Sequence, residues 1–170
     1  LDETPMLGPD PQWIARAARP GLDEALENEA LVARMATALG LPVAPTRLLG
    51  GALPLLLTQR PDCDSTSSSG RLHVEDFNQL SGLHPEQSFE REGGLSARDC
   101  ANLIRRHSAA PALDLRVLLG WLVFAFHVGL GHAHARTLAL RETPRGARLV
   151  ICDGLLSTHV YPTLGERLAL

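Results

Sequence analysis

An α+β fold is what this 170-residue sequence predicts: a small antiparallel sheet with one helix, then a mostly helical part that carries a late β-hairpin. Three observations carry the expectation. Leu26–Leu39 (LENEALVARMATAL) repeats Leu26, Ala30, Val32, Ala33, Ala36 and Leu39 near helical spacing, and Gly40 with Pro42 stops it. Thr46–Leu49 and Leu53–Thr58 read as strands around a Gly50–Gly51 turn. Late in the chain, Thr137–Arg141 and Arg148–Cys152 pair across Thr143–Gly146, a turn holding Pro144 and Gly146.

The remaining elements follow in order. Leu1–Pro20 holds Pro5, Pro9, Pro11 and Pro20 around one short strand, Gln12–Ala17. Cys63–Gly70 (CDSTSSSG) is a polar loop of low complexity. His73–Leu80 reads as a short helix and Ser96–His107 as a longer one, with Ser96 as its N-cap after Gly93–Gly94. Leu115–Gly129 is an apolar helix that Asp114 is expected to cap. No internal repeat interrupts this order.

With 45% hydrophobic residues and a net charge of −3, a globular domain with a real core is the default. The most apolar stretch, Leu113–Leu130, carries Asp114, Arg116 and His127, so a buried helix is expected there rather than a membrane span of about 18 apolar residues. Leu1–Asp10 has neither the basic start nor the apolar run of a signal peptide. Cys63, Cys100 and Cys152 are odd in number and far apart, as reduced thiols in the cytoplasm would be. All 16 basic residues are arginine, so any chemistry that needs a lysine ammonium must use a guanidinium. Acidic residues number 19 and no basic block exists; neither direct nucleic-acid contact nor a membrane is expected.

The residues that could carry chemistry lie in six places. Val128–Leu140 (VGLGHAHARTLAL) runs from an apolar helix through a turn rich in His and Arg into a strand, and Leu149–Pro162 (LVICDGLLSTHVYP) delivers Asp153 into a turn. Asn28–Glu29 opens the first helix, with Arg16 in WIARAARP upstream. Gln59 and Arg60-Pro61-Asp62-Cys63 follow the hairpin, then RLHVEDFNQLSG at Arg71–Gly82, then Ser88-Phe89-Glu90 before Gly93-Gly94. Taken in their order along the chain, the segments resemble the motifs of HipA-like serine/threonine kinases, the toxins of bacterial toxin–antitoxin pairs. The resemblance implies a protein-kinase-like fold, with a partial N-lobe over 1–62 and a helical C-lobe over 63–170. It also implies ATP and Mg²⁺, a protein substrate, and an antitoxin partner with a helix-turn-helix domain.

Phosphoryl transfer needs a positive group on the phosphates, carboxylate and amide ligands for Mg²⁺, and a base that orients the attacking hydroxyl. The family's catalytic loop, Gly-x-x-Asp-x-His-x-Lys-Asn, falls on Gly129, His132, His134, Arg136 and Thr137. The resemblance therefore puts catalytic roles on His132, His134 and Arg136, and metal positions on Thr137 and Asp153. Arg16 and its partner Glu29 take the phosphate-binding positions, and Gln59 and Arg60 the nucleotide-binding hinge. Leu1–Leu7 lacks a glycine-rich, lysine-bearing phosphate loop, and the family usually continues past the position of Leu170 into more helices. A fragment or one half of a split protein is the expectation, weakly active or inactive, with a pseudokinase binding module or decaying remnant as the alternative.

Each position also has a plainer reading. His132 suits a solvated loop: a neutral imidazole accepts a proton near pH 7 but lacks the charge of a carboxylate. His134 suits a structural role, Glu29 an exposed helix face, and Asp153 a turn that caps backbone amides. Thr137 is a poor substitute for an amide oxygen beside a hard cation. His132-x-His134 with Asp153 also spells a transition-metal site, which would make the chain a metal-dependent hydrolase.

Overall fold

The computed structural model describes residues 12–18, 20–63, 71–84, 86–152 and 155–164. Strand β1 (Trp13–Ala17) is followed by helix α1 (Ala25–Ala38) and strands β2 (Thr46–Leu49) and β3 (Leu55–Gln59). These strands form an antiparallel sheet in the order β1-β3-β2, with α1 packed on β2 and β3. Alternation along β3 buries Leu56 and Thr58 and leaves Leu55, Leu57 and Gln59 half-buried, as one covered sheet face requires. The turn between β2 and β3 passes through Gly51 at φ 137°, so the predicted hairpin stands.

The second half builds its own antiparallel sheet, β4-β5-β6, from Val74–Asp76, Leu138–Arg141 and Arg148–Ile151. β4 corrects the expected helix at His73–Leu80, of which only α2 (Phe77–Ser81) is helical. Three residues are too few to reveal a strand by pattern; the free edge of β5 supplies the partner, pairing Val74 with Arg141 and Asp76 with Ala139. Asp76 then caps α2, its carboxylate accepting from the Gln79 amide at 2.9 Å while the Gln79 side chain accepts from the Asp76 amide at 3.0 Å. Helix α3 (Ala97–His107) starts at the predicted Ser96 cap.

Helix α4 (Pro111–Val128) begins four residues before its expected start, on a proline preset for a first turn. Asp114 therefore lies inside the helix and caps nothing. Its carboxylate accepts from Ser108 Oγ at 2.6 Å, from the Leu149 amide at 3.0 Å, and from Arg148 at 2.8 and 3.1 Å. Burial pushes the Asp114 carboxyl up, but the bonds from Arg148, Ser108 and the Leu149 amide outweigh it and hold the group below the usual carboxylate range. This pins the start of α4 to β6.

The expectation of a buried helix holds for one face of α4. Leu118, Trp121, Phe124 and Ala125 enter the core, whereas Leu113, Leu119, Val123 and Phe126 are exposed. By length and composition α4 is the one helix among the described residues that could cross a membrane, but its core face and buried Asp114 make it the central helix here. The core is continuous from α1 through Phe77, α3 and α4 to Leu138, Leu140, Leu149 and Ile151. The halves also join through backbone: Val43 bridges Ile151 in parallel, and the Ile151 amide donates to the Pro42 carbonyl at 3.0 Å. All three cysteines are thiols, and burial pushes Cys100 up to about 12. Most of the polar loop expected at Cys63–Gly70 falls at 64–70, outside the described residues.

Candidate functional site

The register of the first sheet sets one wall of a cleft. Arg16 on β1 lies opposite Leu56, and Thr46 opposite Thr58. Arg16 Nη2 reaches Glu29 Oε2 on α1 at 2.9 Å and also donates to Thr58 Oγ1 at 3.3 Å. Glu29 is buried, so the alternative of an exposed helix residue is corrected: α1 turns it toward the sheet, and Arg16 offsets the cost of burying its charge. Thr46, Thr58, Cys152 and Leu155 complete this narrow cleft, which brings the end of β6 against the ion pair. Asp153, the next residue, lies with Gly154 outside the described residues.

The loop after α4 forms the neighbouring part. Gly129 ends the helix in the left-handed region at φ 67°, where a Cβ would stand 2.7 Å from Cβ of His159. Thr158 donates to the Gly129 carbonyl from its amide at 2.9 Å and from its hydroxyl at 3.2 Å; the Gly131 amide donates to Thr158 Oγ1 at 3.0 Å. The same strap runs to α1: Asn28 Nδ2 donates to the Ser157 carbonyl at 3.1 Å, and the Ser157 amide donates back to Asn28 Oδ1 at 3.0 Å. Tyr161 adds a bond from its hydroxyl to the Asp23 carbonyl at 3.0 Å. Sequence reasoning quoted Asn28 as a motif residue but did not find this role, because no local pattern signals a partner so distant.

Gly129→Ala is expected to cost about 2–4 kcal/mol, because it puts an alanine in the left-handed region and drives its Cβ against Cβ of His159. Urea denaturation read by circular dichroism measures it; a loss below about 1 kcal/mol would contradict the close approach to His159.

The predicted site residues divide into groups. His132 is exposed and His134 half-buried, and both rings meet Phe89 edge-on, at centroid distances of 5.9 and 5.4 Å. Arg91 lies over the same Phe89 ring at 4.9 Å. Phe89 is thus the platform of the histidine turn, a role its motif position did not reveal. Arg136 is exposed. Thr137 is buried, its hydroxyl donating to the His134 carbonyl at 2.7 Å, and its carbonyl accepts from the Cys152 amide at 2.9 Å. That backbone bond ties Thr137 to the strand end that precedes Asp153.

Arg60 grips Asp62 through two bonds of 2.9 and 2.7 Å, and Arg71 approaches the same carboxylate at 3.5 Å. The Arg60 bond holds Asp62 below the usual carboxylate range, and Asp62 in turn raises Arg60. Gln59 and Arg60 line a separate, larger cavity. Pro61, between Arg60 and Asp62, has no backbone N–H to donate. Among the described residues no three His, Cys, Asp or Glu stand close enough to hold a metal.

A strand–helix ion pair facing a helix–loop–hairpin unit across a cleft defines a protein-kinase-like fold. A family model described as HipA-like C-terminal domain matches residues 6–163, and the chain belongs to that family. A Sinorhizobium fredii protein named "Putative kinase Y4mE" is 39% identical over 148 residues, 85% of this chain and 35% of that protein. A chain of the Shewanella oneidensis toxin–antitoxin complex of HipA, HipB and operator DNA superposes with a TM-score of 0.83 at 22% identity, over 94% of this chain and 40% of that one. At that identity the likeness shows the fold. This chain spans about a third of the length of the curated relative.

Proposed function

We propose that this chain is the scaffold of a HipA-like serine/threonine kinase toxin, weakly active or inactive as it stands, with residues 1–62 and 63–170 as its two lobes. It acts in the cytoplasm, restrained by a helix-turn-helix antitoxin that makes the DNA contacts. The supporting observation is the 2.9 Å Arg16–Glu29 pair, because protein kinases require a cation on a strand held by a helix glutamate. Arginine preserves that charge in a bulkier, planar form.

The same geometry argues against efficient transfer. The pair suits a phosphate, but Thr137, buried and donating to a carbonyl, does not suit a metal, and no metal-borne step is assigned to it. His132 supplies an imidazole where the reaction needs a carboxylate, and Pro61 removes one donor from the hinge. A pseudokinase that holds a partner without transferring phosphate is the second reading, favoured by the strap that braces the site through Asn28 and Thr158.

Calorimetric titration with Mg²⁺–ATP should give weak or undetectable binding. Low-micromolar, Mg²⁺-dependent affinity that Asp153→Asn abolishes would overturn the reading of a degraded site.

A further inference from the structure

Behind the end of β3 lies a cavity of about 420 Å³, walled by the 42–45 turn after α1, the 59–63 segment and the β5–β6 hairpin. It shares Ala44 with the Arg16–Glu29 cleft, and Gln59 and Arg60 with the hinge that the resemblance assigns to nucleotide. Its volume falls within the usual range for small-molecule pockets, about 300–1,000 Å³.

Its chemistry is one-sided. Pro42, Val43, Leu72, Val150 and Ile151 give it an apolar wall, and its two charged lining residues are both arginines, Arg60 and Arg141. Arg60 is occupied by Asp62. Arg141 differs: its Nε is buried and has no hydrogen-bond partner among the described residues. The strand register explains why it stays there. Arg141 pairs with Val74 on one side and Arg148 on the other, on the sheet face opposite Leu138 and Leu140, and Arg148 takes Asp114 for itself. The Thr143 hydroxyl is spent on the Gly146 carbonyl at 2.7 Å. A buried guanidinium N–H without an acceptor is costly, and an anion is the acceptor that best repairs it.

We propose that this cavity binds a small carboxylate with an apolar, flat body, whose carboxylate accepts hydrogen bonds from Arg141. The body lies along Val43, Leu72 and Val150, and the occupant touches both halves of the fold at once. The carboxylate's anchor is Arg141, which carries no nucleotide role in the family resemblance.

The test uses the full chain with 1-naphthoate as probe and 1-naphthamide as its neutral match, followed by saturation-transfer NMR and thermal shift. Naphthoate should bind at least about ten-fold more tightly than the amide. Arg141→Met should bring the two within about two-fold, while Arg141→Lys keeps part of the preference. Leu72→Trp, which fills the cavity without touching the cation, should abolish binding of both, and it decides the location if Arg141→Met fails to fold. Equal affinity for acid and amide, acid binding unchanged in either variant, or no binding up to millimolar concentration would each overturn the proposal.

Discussion

Arg148→Met is expected to cost about 3–5 kcal/mol of folding stability at pH 7, because it leaves the Asp114 carboxylate buried without its counter-charge. Asp114 is about 1% exposed, so water cannot replace the lost guanidinium. In the parent, Asp114 titrates below its ordinary value of 3.8; its contribution is fully present above that value and is lost as pH falls through the lower, folded one. In the variant the Arg148 bonds are gone, while burial still pushes the carboxyl up against the bonds from Ser108 and the Leu149 amide. The folded carboxyl then lies higher than in the parent, and its protonation costs the variant less. The gap between parent and variant should therefore narrow as pH is lowered from 7 toward 4. Asp114→Asn combined with Arg148→Met should recover at least half of the loss, since the asparagine oxygen still accepts from Ser108 and the Leu149 amide. Urea midpoints for the three proteins measure this; a pH-independent gap would show that Arg148 acts through packing alone.

Restoring two charges or ligands in the histidine turn should matter more for activity than any change elsewhere. The double variant His132→Asp, Thr137→Asn is expected to raise phosphate transfer from background to a faint signal, at least about ten-fold over the parent. His132 is exposed, so the first change meets little steric resistance. Thr137 is harder to replace, being buried with its hydroxyl on the His134 carbonyl. An asparagine amide can donate to that carbonyl and leave its oxygen for a cation. Transfer is read with radiolabelled ATP, either to the chain itself or to candidate substrates. Clear transfer by the parent that His132→Ala abolishes would show that His132 is already a working base, and the reading of a degraded loop would fail.

Much of the fold was legible in the residues. Periodicity located α1 and α3, the Ser96 cap, and both hairpins, because each is specified by side chains only a few positions apart. The ion pair was legible for a different reason: Arg16 and Glu29 occupy motif positions whose order resembles a known family. Neither route could place β4. Val74–Asp76 is too short to show a period and becomes a strand only because β5 offers an open edge.

Sequence alone determined most of the local elements, the family, and the absence of lysine, base carboxylate and metal amide at the motif positions, since these are properties of residue identity and near spacing. Tertiary structure decided that Glu29 is buried, that Asp114 is a clamp rather than a cap, and that Asn28 meets Ser157 across 129 positions of chain. Such partners are chosen by packing, which brings distant backbone to unsatisfied polar groups, and no window of sequence contains both members of the pair.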